Sequence, residues 1–115
     1  MILLDIDQDT PAWHELRRTK IGASDCPAIL GKSPYLSPSQ LMEQKLVGKK
    51  SYNSPQMRRG KELEPVVRQW YSERYKPMRP VVVQSELNDW MIASLDGLSD
   101  DQKSLIEIKC PNEDT

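Results

Sequence analysis

Asp96, Glu107 and Lys109 are the residues of this chain best placed to do chemistry. The stretch Ala93-Ser94-Leu95-Asp96-Gly97 is followed, after a short polar turn, by Leu105-Ile106-Glu107-Ile108-Lys109. Side chains alternate faces along an extended segment, so Leu105, Glu107 and Lys109 share one side while Ile106, Ile108 and Cys110 share the other. A carboxylate and an ammonium roughly 7 Å apart can divide the labour at a phosphate. The carboxylate holds a divalent cation, and the lysine orients or activates water. Asp96, at the end of the preceding strand, supplies a second acid. Together these are the donors that metal-dependent phosphodiester hydrolysis requires.

A second constellation lies near the amino terminus. Ser24 reads as the cap of a short helix running through Ala28, Ile29 and Leu30 to Gly31. Free amides at such a terminus can hold a phosphate, which Arg17 would neutralise. Asp25 works against this unless its side chain points away, and an ordinary cap is the alternative. Arg58, Arg59 and Lys61 cluster just before Glu64 and read equally as phosphate contacts or as a solvated face. Tyr35 could stack on a base or anchor its loop. His14, the one histidine, reads as a surface imidazole. Trp13, Trp70 and Trp90 read as core aromatics.

The elements that must position these groups are short. Thr10-Pro11 is a helix cap and first residue, opening a helix to about Arg18 with Trp13 and Leu16 inward. Ser37-Pro38-Ser39-Gln40 is a capping box, starting a helix that carries Leu41, Met42, Lys45 and Leu46 and stops at Gly48. Residues 49–55 form a polar linker. The next helix carries Leu63, Val66, Val67, Trp70 and Tyr71 near helical spacing. Pro65 requires either a start near Glu64 or a kink in an earlier helix, because an interior proline costs about 3 kcal/mol. Residues 81–87, 90–95 and 104–110 read as a three-strand meander with a tight turn at Asn88-Asp89. The expected fold is α+β, N-terminal helices first and a small, mainly antiparallel sheet last, in one domain over residues 1–115.

Composition argues for a soluble globular protein. The chain has 115 residues, 37% apolar and 29% charged, enough for one modest core. No apolar run approaches the ~20 residues of a membrane span. The first ten residues carry three Asp and no basic residue, unlike a signal peptide. An intracellular, cytoplasmic location is expected. Cys26 and Cys110 form no Cys-x-x-Cys pattern and read as buried free thiols. The net charge of -1 hides an asymmetry: residues 1–84 hold fourteen Lys and Arg against nine Asp and Glu, residues 85–115 two against eight. A basic surface beside an acidic pocket suits an enzyme that grips a polyanion, although both are also ordinary solvated surfaces.

Four ordered blocks resemble a known family. Gly22-Ala23-Ser24-Asp25, Met57-Arg58-Arg59-Gly60 with Glu64, Ala93-Ser94-Leu95-Asp96-Gly97-Leu98, and Leu105-Ile106-Glu107-Ile108-Lys109-Cys110-Pro111 are similar in order and spacing to the YqaJ-type viral recombinases. That group includes the exonuclease of bacteriophage lambda and belongs to the PD-(D/E)XK nuclease superfamily. The resemblance implies a restriction-endonuclease-like core. It implies that Asp96, Glu107, the Ile108 backbone carbonyl and Glu64 hold Mg²⁺ or Mn²⁺, that Lys109 is the catalytic lysine, and that Arg17 and Ser24 bind a phosphate. It further implies a double-stranded DNA substrate, a ring-forming homo-oligomer and a single-strand-annealing protein partner.

The chain departs from that family in two places. The residue before the first acid is usually proline and here is Leu95. Family members also continue past the Glu-x-Lys strand, whereas this chain stops at Thr115, so it reads as a C-terminally truncated fragment or a minimal version. The expected activity is metal-dependent digestion of double-stranded DNA from a 5′ end, 5′ to 3′, in phage-type recombination. A structure-specific or restriction-type endonuclease, and an inactive DNA-binding or assembly remnant, remain open.

Overall fold

A computed structural model describes residues 1–48 and 54–111. Its elements are four α-helices and a small, mainly antiparallel sheet, an α+β fold. The residues form two compact units: Met1–Ser51 with Val82–Ser94, and Tyr52–Val81 with Leu95–Thr115. The expected 49–55 linker lies, but for Ser54 and Pro55, outside the described residues.

In the first unit, β1 (Ile2–Leu4) pairs antiparallel with the end of β3 (Met78–Gln84), Leu3 opposite Val83. Helix α1 (Pro11–Thr19) is fixed at its start by Thr10, whose hydroxyl accepts the Trp13 N–H at 3.2 Å. The half-buried Trp13 ring donates from Nε1 to the Ser94 hydroxyl at 2.9 Å. Strand β2 (Ile21–Gly22) runs parallel to the start of β4 (Met91–Ser99), Gly22 opposite Ile92. A 3₁₀ turn, Ala23–Asp25, then leads into α2 (Cys26–Ile29). Helix α3 (Pro38–Val47) carries the expected capping box: Ser37 Oγ accepts the Gln40 N–H at 3.2 Å and Gln40 Oε1 accepts the Ser37 N–H at 2.9 Å. Gly48, at φ 74°, ends it in the left-handed conformation that glycine adopts without strain. Ala28, Leu41, Val82, Val83 and Ile92 are the buried apolar residues here.

The second unit holds α4 (Pro55–Arg74), the start of β3, the end of β4 and β5 (Leu105–Ile106), with Met78 and Leu98 buried. Helix α4 begins at Pro55 under a Ser54 cap and runs through Pro65, although Pro65 has no N–H for the carbonyl four residues back. Strand β5 pairs antiparallel with β4, Gly97 opposite Ile106.

Several expectations need correction. Two strands come from the amino-terminal third, so the order is not helices then sheet; β1 and β2, three and two residues long, are too short to show alternation. Strand β3 starts three residues before Val81 and ends at Gln84, and β4 runs on to Ser99, which puts Asp96 inside the strand. The strand expected over 104–110 shrinks to Leu105–Ile106 because side chains take the backbone groups beyond it: Asp96 accepts the Ile108 N–H, and Arg59 donates to the carbonyls of Cys110 and Pro111. Trp70 and Trp90 are about half exposed, at 49% and 52%. One face of Trp70 is covered by the Arg74 guanidinium, 4.4 Å from the ring centre. Cys26 is exposed and Cys110 half-buried, so neither is the buried thiol expected, though both are free.

Gly97 makes the β4–β5 approach possible. A Cβ there would lie 2.6 Å from Ile106 Cγ1 and 3.0 Å from Met78 Cβ. Gly97→Ala is expected to destabilise the protein by about 1–3 kcal/mol, the usual cost of overpacking, read as a lower urea midpoint. An unchanged midpoint would mean that β5 does not sit this close.

Candidate active site

Asp96 is gripped from two sides within the second unit. Its main-chain carbonyl accepts Arg68 Nε at 2.7 Å, and its carboxylate Oδ2 accepts the Ile108 N–H at 2.8 Å. Arg68 also donates from Nη2 to Glu64 Oε2 at 3.0 Å, one helical turn back on α4. Helix α4 therefore presents Glu64 to the strand that carries Asp96, and the two carboxyl groups lie near enough to interact. Burial of Glu64, and then the Asp96 carboxylate beside it, push the Glu64 carboxyl up to about 7 against the opposing pull of Arg68.

Glu107 and Lys109 follow directly after β5 and project together, Glu107 Oε1 lying 3.1 Å from Lys109 Nζ. The alternation read from sequence persists past the strand: Leu105, Glu107 and Lys109 are exposed, and Ile106, Ile108 and Cys110 half-buried. The Glu107 carboxylate, and more weakly Asp96, raise the Lys109 ammonium above its ordinary value. Lys109 is thus a cation at neutral pH, suited to donating hydrogen bonds rather than removing a proton. The structure joins Asp96 to Glu64, and Glu107 to Lys109, with the Ile108 amide linking Asp96 to the second pair. Among the described residues no three Asp, Glu, His or Cys side chains gather closely enough to hold one ion.

Of the two arginines before Glu64, Arg58 is exposed. Arg59 Nη1 donates to the Cys110 and Pro111 carbonyls at 3.2 and 2.7 Å, anchoring the chain just beyond Lys109. Arg68 was not picked out from sequence; its position four residues after Glu64, the spacing of a helical ion pair, was the available signal.

In the first unit, Arg17 and Ser24 meet as expected. Arg17 Nη2 donates to Ser24 Oγ at 3.3 Å, and its guanidinium lies over the Trp13 ring, 4.4 Å from the centre. Ser24 is not a helix cap, since it sits inside the 3₁₀ turn. Asp25 is buried and turned back into the fold, accepting the Gly22 N–H at 2.8 Å and pairing with Lys45 Nζ at 3.0 Å. Its charge is therefore answered by Lys45.

The profile of the YqaJ-like viral recombinase domain matches residues 12–115. The chain belongs to this family. Membership carries a restriction-endonuclease-like core and the coarse function, a DNA-directed nuclease of phage-type recombination. No curated protein matches the chain. No helix among the described residues is long and apolar enough to cross a membrane.

The raised Glu64 carboxyl has a consequence for stability. The folded chain keeps the Glu64 proton up to about pH 7, whereas an unfolded chain releases it near 4.5. The folded state thus binds more protons in that window and loses stability as pH rises through it. Urea unfolding of chelator-treated protein should show this fall between those pH values, and Glu64→Gln should flatten it. An identical pH profile in the variant would contradict the assignment.

Proposed function

We propose that the protein is a metal-dependent DNA exonuclease that digests duplex DNA from a 5′ end. The observation that carries this is the Glu64–Asp96 carboxyl pair, tied through the Ile108 amide to Glu107 and Lys109. Two neighbouring carboxyl groups, one with its pKa raised to about 7, are a donor set that a hard divalent cation suits. Mg²⁺ or Mn²⁺ would be held first by Asp96 and Glu64, the two acids the fold brings together; Glu107 and the Ile108 carbonyl, the further ligands the family resemblance implies, would have to move toward that pair to complete the set. The ion would supply Lewis-acid stabilisation of charge at the phosphate. Glu64 would release its proton to serve as a ligand. Arg68 keeps Glu64 and the Asp96 backbone in place.

Water attacks the phosphorus in line as the opposite P–O bond breaks. The Lys109 ammonium donates a hydrogen bond to the attacking water or to a phosphate oxygen, and Glu107 holds that ammonium at the reaction face. Arg17 and Ser24 capture the terminal 5′-phosphate with charge-assisted hydrogen bonds, and this pair favours end-directed digestion over internal cleavage. A ring-forming homo-oligomer and a single-strand-annealing partner follow from the family alone.

Linear duplex DNA should be degraded in Mg²⁺ and spared after chelation, while covalently closed circles persist. Asp96→Asn or Glu107→Gln, each of which removes a metal ligand, should abolish cleavage, and Lys109→Ala should lower the rate on the order of 10²-fold, the usual scale for loss of one hydrogen-bond donor to the transition state. Cleavage of closed circles at the linear rate would replace the exonuclease with an endonuclease, and full activity in all three variants would remove the site.

Digestion should also be faster from 5′-phosphorylated than from 5′-hydroxyl ends at one fixed salt concentration. Arg17→Ala should erase most of that preference. Equal wild-type rates on the two ends would dismiss the phosphate role of Arg17 and Ser24.

A further inference from the structure

A concavity of about 360 Å³ opens beside Ser24, within the first unit. Sites for small organic ligands start near 300 Å³, so this one has room for a nucleoside and not for a duplex. Pro27, Ala28 and Pro34 contribute apolar surface, with Lys32 and Tyr35 also on the lining. The serine on its wall is the same one that accepts a hydrogen bond from Arg17. Asp25 also lines the concavity, but Lys45 and the Gly22 N–H hold its carboxylate.

The stretch of the wall from Pro27 to Leu36 is held largely by its own hydrogen bonds. The Lys32 and Ser33 amides donate to the Pro27 carbonyl at 2.8 and 3.1 Å, and the Ser33 hydroxyl accepts the Tyr35 and Leu36 amides at 3.1 and 3.2 Å. Ser33, not Tyr35, therefore anchors this loop. The Tyr35 side chain is left 91% exposed at the rim. An exposed aromatic residue on a fixed turn, lining a largely apolar concavity whose wall also carries the serine bonded to Arg17, supplies the parts needed for a nucleobase joined to a phosphate.

We propose that this concavity receives the base of the 5′-terminal nucleotide of a DNA strand, stacked on Tyr35, with its terminal phosphate on Arg17 and Ser24 and with Lys32 near the sugar-phosphate. The proposal rests on the phosphate reading above and adds to it a grip on the base. The base is held by its π face, so the grip is independent of sequence. It also makes an intact terminal nucleotide a better substrate end than an abasic one.

The test measures equilibrium binding of short duplexes in the presence of chelator, at one salt concentration. Four ends are compared: phosphate or hydroxyl, each with or without a terminal base. Wild type should bind the phosphorylated end about tenfold more tightly when the base is present, at the low end of stacking on an aromatic side chain. Tyr35→Ala should cancel the base advantage and keep the phosphate advantage, while Tyr35→Phe keeps both. Because Tyr35 is exposed, neither change should disturb folding, as circular dichroism would verify.

Equal binding of abasic and base-bearing ends, with the phosphate preference intact, would overturn the base pocket and leave the phosphate reading standing. Loss of both preferences in wild type would overturn the two together. Displacement of the strand end by an equal concentration of free thymidine 5′-monophosphate would also overturn the proposal, assigning the pocket to a released nucleotide.

Discussion

The second unit depends on how Asp96 is held. An aspartate inside a strand normally projects freely, yet here the residue is engaged at backbone and side chain at once: Arg68 takes its carbonyl and the Ile108 N–H takes its carboxylate. The first bond ties β4 to α4. The second ties β4 to the segment that follows β5, at the residue between Glu107 and Lys109. Because Arg68 also holds Glu64, one guanidinium fixes the spacing of the two acids that repel each other. Burial of Glu64, and then its nearness to Asp96, raise the Glu64 carboxyl in that placement.

Lys45 has the corresponding role in the first unit. It is largely buried on α3, and its ammonium donates to the Arg17 carbonyl at 2.6 Å while pairing with Asp25. One side chain thereby joins the end of α1 to the turn that carries Ser24. Arg18 strengthens the same junction by donating to the Lys45 and Leu46 carbonyls in the last turn of α3. The contact of Arg17 with Ser24 is therefore set by buried groups on neighbouring elements and does not rely on an exposed 3.3 Å hydrogen bond alone.

What could be read from sequence was what local chemistry decides. The Ser37-to-Gln40 box, the Thr10-Pro11 start and the Gly48 stop are written in consecutive residues, and all three helix ends fall where those residues require. The shared face of Glu107 and Lys109 follows from alternation and survives even where the strand has ended. The misreadings arise where distant groups override a local pattern. Asp96 and Arg59 take backbone groups that a longer β5 would have used. Pro65 left open a helix start near Glu64 or an earlier helix running through it; Ser54 and Pro55 supply the cap, so the first alternative falls and α4 continues through Pro65. Asp25 seemed to spoil the Ser24 site because nothing local announces a lysine twenty residues later as its partner.

The central claim is that Glu64 and Asp96 form a cation site whose formation drives a proton off Glu64. Calorimetric titration with Mn²⁺ at a pH just below 7, repeated in buffers of different ionisation enthalpy, tests it directly, because metal binding to a protonated carboxyl releases that proton to the buffer. The account predicts saturable binding with an apparent enthalpy that varies with the buffer in wild type, no such variation in Glu64→Gln, and loss of binding in Asp96→Asn. Buffer-independent binding in wild type, or unchanged binding in Asp96→Asn, would contradict it.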